Sequence, residues 1–340
     1  MANDRLRIGI VGAGPVTSRY HLSAVRGVPE VKAEFIVDID EAKARDFASR
    51  NGFRYFGRSH TQLYGAVDLA VVALPNHLHA PVTVDLLKNG IHVLCEKPMA
   101  RNKEECAAMI DASERSGSLL AVGHNRRFRA HLILAKEYLQ EGRIGTLMRV
   151  EAEEGSASDW QRSPAYFDPR QAGGGCLMDV GIHAIDLIHW MVGDFADVEY
   201  EGDGNDSRVE TEAVMRFRLA NGADGVVTTS RTQELHQRLR LCGTKGFIEA
   251  GLWGDTLRIR VDGGKAFSHF PHLEAYVSNR PPADSSFVDQ LLNLVQAIRG
   301  EQDLMVDGRA GMAAVETVCR AYASSSSSYR SEAVVPSTAR

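Results

Sequence analysis

Over the first third of the chain, short apolar runs rich in β-branched residues alternate with amphipathic stretches. Arg7 to Val11, Ala33 to Val37, Leu69 to Leu74, Ile91 to Cys95 and Leu119 to Val122 read as strands, and residues 15–26, 40–51, 78–88 and 103–116 read as the helices between them. Such strand–helix repetition predicts a doubly wound parallel sheet with right-handed crossovers.

After residue 125 the pattern changes. A helix is expected near 130–141, then a long strand from Thr146, a Gly-rich loop and a helix from Cys176 to Met191. Strands follow at Glu210 to Leu219, Ala223 to Gln233, Arg238 to Cys242, Gly246 to Ala250 and Thr256 to Val261, separated by turn signals such as Ala220-Asn221-Gly222. Strands in succession imply a large, mainly antiparallel sheet within an α+β domain. Two helices, 286–299 and 308–322, are expected to pack against one of the domains, and the serine run from Ser324 to Ser328 opens a loose tail. The division is therefore 1–124, 125–323 and 324–340.

Composition supports this reading. Among 340 residues, 44% are hydrophobic and 24% charged, enough for two compact cores. The net charge of -5 comes without a basic stripe, Arg126-Arg127-Phe128-Arg129 being the one local cluster, which argues against nucleic acid and anionic membrane as partners. No apolar segment approaches the roughly 20 residues of a membrane span, and Met1 to Arg7 lead into a strand without a signal-peptide core, so a cytoplasmic location is expected. Five scattered cysteines without a C-x-x-C pair point to reduced thiols, with neither a disulfide framework nor a metal site.

The chemistry begins at the first strand exit. Gly12-Ala13-Gly14-Pro15-Val16-Thr17 is a G-x-G-x-x turn between strand and helix, where glycines let backbone amides approach a pyrophosphate at the positive end of the helix. Asp38 ends the second strand 26 residues after Gly12, about where an acid meets the adenosine ribose. No arginine in Val37-Asp38-Ile39-Asp40 answers a 2'-phosphate, which favours NAD over NADP. Asp38 could instead cap the helix beginning near Asp40, and Thr17 replaces the small residue usual for close packing. These features define a Rossmann dinucleotide-binding domain.

Further exits carry Pro75-Asn76-His77-Leu78-His79 and Glu96-Lys97-Pro98. Pro75, Asn76 and His79 would lie near the middle and nicotinamide end of a dinucleotide, with Glu96 and Lys97 beside them. Taken alone, Glu-Lys-Pro is equally the mark of a solvated ion pair. After the Gly173-Gly174-Gly175 triplet, Asp179 and His183 are four residues apart on one helical face, with Asp186 one turn on, the layout of a carboxylate orienting a general base. A metal pair or a structural histidine would also give this spacing.

These motifs taken together resemble the Gfo/Idh/MocA oxidoreductases: Gly12-Ala13-Gly14 followed by His21, Asp38, Pro75-Asn76 with His79, Glu96-Lys97-Pro98, Asp179-x-Gly181-x-His183 and Phe287-Val288-Asp289-Gln290. The resemblance implies that Lys97 and His183 flank the reacting carbon with Asp179 assisting, and that the second domain supplies the substrate cavity and an oligomer interface, as a homodimer or homotetramer. It also makes Lys97-Pro98 a candidate cis peptide. Asn125 and Arg127 are candidates for substrate hydroxyls, Arg127 equally for an interdomain salt bridge, and Trp160, Tyr166 and Asp168 for a lid over a sugar ring. The expected activity is NAD-dependent oxidation of a secondary hydroxyl of a sugar, sugar derivative or cyclitol. The alternatives are an NAD-dependent glycosidase using transient ring oxidation and a non-catalytic dinucleotide sensor.

Overall fold

The computed structural model describes residues 5–157, 164–205, 208–261, 264 and 285–325. In the first half, strands β1 (Leu6–Val11), β2 (Val31–Val37), β3 (Tyr55–Gly57), β4 (Leu69–Val72), β5 (His92–Cys95) and β6 (Leu120–Val122) alternate with helices α1 (Leu22–Gly27), α2 (Glu41–Asn51), α3 (Asn76–Lys88) and α4 (Lys103–Ser116). The strands make one parallel sheet in the order β3-β2-β1-β4-β5-β6. Ile8, Ile10 and Leu69 are fully buried in its centre, each contributing roughly 1.5–3 kcal/mol. Helix starts follow the capping residues: Asp40 accepts from Lys43 N at 3.2 Å and Asn102 from Glu105 N at 2.9 Å. Gly52 and Gly117 close α2 and α4 in the left-handed conformation.

The second half contains α5 (Ala130–Gln140), β7 (Leu147–Gly155), α6 (Pro169–Ala172), α7 (Ile182–Met191), β8 (Phe195–Gly202), β9 (Glu212–Leu219), β10 (Asp224–Ser230), β11 (Arg238–Gly243), β12 (Gly246–Gly251), β13 (Leu257–Val261), α8 (Ser285–Ile298) and α9 (Gly308–Ser324). Its seven strands run β13-β12-β11-β7-β10-β9-β8. Pairing is antiparallel except between β7 and β10, where Asp224 to Ser230 lie in parallel register with Arg149 to Gly155. No helix among the described residues is long and apolar enough to cross a membrane.

The structure departs from these expectations at several points. Strands β3 and β8 are additional: β3 gives too short a run to register, while β8 carries the apolar–acidic alternation of a half-buried strand in Phe195-Ala196-Asp197-Val198-Glu199-Tyr200-Glu201, which the expected elements omit. Residues Thr17–His21 and Leu177–Gly181 are π-helical turns rather than α. The last two helices do not share one domain: Leu291, Leu294 and Val295 of α8 pack with Ile8, Ile10 and Ala24 of the first sheet, while α9 lies against both α4 and α7. Ser324 closes α9 rather than opening a tail, and the serine run beyond residue 325 lies outside the described residues.

Chain order reverses between β1 and β4, so the crevice where an open sheet takes its ligand lies beyond their carboxyl ends.

Candidate active site

At the β1 exit, Gly12 has φ +104° and a Cβ there would stand 2.2 Å from Ala73 O, so only glycine fits the turn. A Cβ on Gly14 would meet nothing within 4 Å, leaving open space over the backbone, and Pro15 and Val16 reach the surface at the helix start, whose first amides lack intrahelical acceptors. Thr17 is buried and donates through Oγ1 to Gly12 O at 2.5 Å. Its hydroxyl and the wider π-turn accommodate a residue bulkier than glycine or alanine. Asp38, at the β2 exit, accepts Ala13 N at 2.9 Å and Asp40 N at 3.1 Å, and Lys43 Nζ lies 3.1 Å away. It is not the α2 cap, which is Asp40. The glycine turn, the open space over Gly14 and the carboxylate at the next strand end fit a dinucleotide.

At the β4 exit, Pro75 precedes α3 and Asn76 donates through Nδ2 to Ala172 O at 2.8 Å, tying α3 to α6. His79 corrects the expectation placed on it. Its Nδ1 lies 2.7 Å from Pro98 O and its Nε2 2.8 Å from Leu74 O, within a buried site. Burial lowers its pKa, and the neutral ring, with one N–H, donates to one of the two carbonyls while both nitrogens face protein backbone rather than a ligand.

At the β5 exit the Lys97-Pro98 peptide is cis. Glu96 is buried, with Oε1 2.8 Å from His21 Nε2 and Oε2 accepting Lys97 N at 3.1 Å. Burial raises the Glu96 pKa, but the hydrogen bond and electrostatic pull of His21 and the Lys97 charge outweigh it and hold the carboxyl below its usual range.

Lys97 reaches from the first sheet to the π-turn before α7. Its Nζ donates to Asp179 O at 2.6 Å and to Asp179 Oδ1 at 3.1 Å, while Arg231, just past β10, donates through Nη2 to Asp179 Oδ2 at 3.0 Å. Here the structure corrects the expected carboxylate–imidazole pair. Asp179 sits within the π-turn Leu177–Gly181, and its carboxylate faces the two cations.

His183 is mostly buried and its Nδ1 has no partner among the described residues. Its ring stands edge-on to His124 at 6.2 Å between centroids. Burial, reinforced by the charges of Arg126 and Lys97, lowers the His183 pKa well below the ordinary value. His124 is wholly buried with neither ring nitrogen bonded, and burial lowers its pKa to about 4. Both rings are neutral at pH 7.

Other candidates fall into structural roles. Arg127 is a buried, bidentate partner of Asp186, at 3.0 and 2.6 Å, so its guanidinium is held in a salt bridge within residues 125–323 rather than between the domains. Asn125 is also buried and donates to Ser286 Oγ at 2.9 Å, fastening α8. Tyr166 is half-buried on a short 3₁₀ turn ahead of α6, and Asp168 caps α6 by accepting Arg170 N at 2.9 Å. Trp160 lies outside the described residues. Three contributors had no sequence signal beyond their residue type: Arg231, the Arg126–Glu154 pair with Trp253 on Glu154, and His124. Of these only His124 follows a strand of the parallel sheet, the rule that singles out Lys97.

Residues 6–124 match the family model described as an oxidoreductase family with an NAD-binding Rossmann fold, and residues 132–249 match the C-terminal domain model of the same Gfo/Idh/MocA family. Levoglucosan dehydrogenase of Pseudarthrobacter phenanthrenivorans is 28% identical, covering 72% of this chain and 73% of its own. Myo-inositol 2-dehydrogenase of Thermotoga maritima is 25% identical, covering 91% and 93%. Among solved structures, a levoglucosan dehydrogenase in complex with NADH and levoglucosan superposes with a TM-score of 0.85 at 23% identity, over 94% of this chain and 96% of that one. The chain belongs to the Gfo/Idh/MocA oxidoreductases and carries their NAD-binding Rossmann domain.

Proposed function

We propose that the protein is an NAD-dependent dehydrogenase that interconverts a secondary hydroxyl and a ketone on a sugar, sugar derivative or cyclitol. Residues 1–124 serve as its cofactor half and 125–323 as its substrate half. The observation that carries this reading is the meeting of Lys97, from the β5 exit, with Asp179, one turn before neutral His183. The levoglucosan and inositol dehydrogenases among the relatives support the substrate class.

Gly12, Gly14, Pro15, Val16, Asp38 and Glu96 are the residues assigned to hold the cofactor, with Pro75, Asn76 and His79 shaping the crevice behind them. Asp38 favours NAD because a carboxylate there repels a 2'-phosphate. Lys43, paired with it, moderates that repulsion. Bound nicotinamide supplies the hydride acceptor or donor.

An ammonium has three donors, and Asp179 takes two of those on Lys97, leaving the third to polarise the substrate oxygen. His183, uncharged at neutral pH, accepts the hydroxyl proton as the hydride leaves, and returns it in the reverse direction. Asp179 balances the Lys97 charge. Assembly as a homodimer or homotetramer and a cytoplasmic location belong to the same reading.

The test is a panel of sugars, glycosides and cyclitols with NAD and with NADP, following nicotinamide absorbance and released sugar together. Absorbance gained with NAD on at least one alcohol is the expected result. Sugar release without net reduction would favour the glycosidase, and no change with any compound would overturn both.

A further inference from the structure

We propose that Arg231 is a positioning residue for Lys97: it fixes the Asp179 carboxylate, and the carboxylate fixes the ammonium. The inference rests on the reading of Lys97 as the group that meets the substrate oxygen.

Arg231 follows β10, its backbone N donating to Thr211 O at 2.8 Å, so its root is tied to the second sheet. The side chain is 7% exposed. Of its five donors, one on Nη2 reaches Asp179 Oδ2 at 3.0 Å, while Nε and Nη1 are buried without an acceptor among the described residues. Buried donors left unmatched destabilise a fold, so a packed aliphatic residue would serve stability better.

What Arg231 does supply is geometry. With Oδ1 facing Lys97 and Oδ2 facing Arg231, the carboxylate is held from both ends and its rotation is blocked. Lys97 then keeps two donors on Asp179 and its third in a fixed direction. Without Arg231 the carboxylate turns and the ammonium turns with it. Misplacement on the scale of 1 Å can lower turnover about a hundredfold.

The experiment compares the wild type with Arg231→Met, Arg231→Lys, Asp179→Asn and the Asp179→Asn/Arg231→Met double variant. Its readouts are kcat and KM, cofactor Kd by nicotinamide fluorescence, and the NMR signal of the ¹⁵N-labelled Lys97 ammonium, assigned by its loss in Lys97→Met. Arg231→Met should lower kcat by about tenfold to a hundredfold at unchanged cofactor Kd and speed proton exchange at Lys97 several-fold. Arg231→Lys should recover part of both. The double variant should be no slower than Asp179→Asn, because the two residues act as one unit. Unchanged kcat, a loss that multiplies with that of Asp179→Asn, or an unchanged Lys97 signal would each overturn the proposal. If the wild type turns over no alcohol, the functional reading has failed, while the ammonium signal still decides the role of Arg231. Should Arg231→Met not fold, Arg231→Gln, which keeps a donor, takes its place with the same expectations at smaller size.

Discussion

Arg127 and Asp186 show how one residue type can point to two roles. Both side chains are buried, 7% and 1% exposed, and each supplies the charge the other needs. Breaking such a pair leaves an uncompensated buried charge, which costs about 3–5 kcal/mol. Arg127→Met should therefore lower the urea midpoint markedly, and Arg127→Met/Asp186→Leu should recover most of the loss. Equal midpoints for Arg127→Met and wild type would contradict the assignment. The partner 59 residues away was not legible in the sequence, because an ion pair between distant elements has no local period.

His124 carries a pH dependence. Its folded pKa of about 4 lies below the ordinary 6.5, so the unfolded chain binds the extra proton first as pH falls. Its contribution is whole above about pH 6.5 and is lost as pH drops towards 4. His124→Phe should narrow the fall in Tm between pH 7 and pH 4, measured by calorimetry at both ends of that range. A constant Tm difference between variant and wild type at every pH would exclude this titration.

At the scale of elements, the periodic pattern was most readable where packing enforces it. β1, β2, β4, β5 and β6 stand where their apolar runs indicated, because helices cover both faces of a parallel sheet and bury its strands, the edge strand β6 included. The helix caps are Asp40, Asn102 and Asp307, and Asp38, which the sequence also allowed as a cap, is not one. The two π-turns, at Thr17–His21 and Leu177–Gly181, escaped the pattern because inserting one residue changes hydrogen bonding without changing apolar spacing enough to register. Both flank the proposed site, one at the cofactor turn and one beneath Asp179. The first depends on Gly12, where φ +104° and the Ala73 carbonyl leave no place for a methyl group. Gly12→Ala should weaken NAD binding and lower Tm together. An unchanged Kd for NAD would show that the turn does not set the binding surface.

Across the whole molecule, two sheets each provide half of the chemistry. The first carries Lys97 and the dinucleotide turn, the second half carries Asp179, His183 and Arg231, and α8 and the Lys97–Asp179 pair join the halves. The order of motifs along the chain indicated this division, since Glu-Lys-Pro lies in the parallel half and Asp-x-x-x-His in the other. Which atoms meet was a matter of closure, and there the carboxylate paired with lysine and arginine instead of histidine.

The central claim is that Lys97 acts in turnover and not in holding the cofactor. It is tested most directly by measuring, on Lys97→Met, NADH affinity by fluorescence and oxidation of the preferred alcohol by nicotinamide absorbance. The account predicts an NADH Kd close to wild type with turnover lost. Turnover at the wild-type rate in Lys97→Met would contradict it.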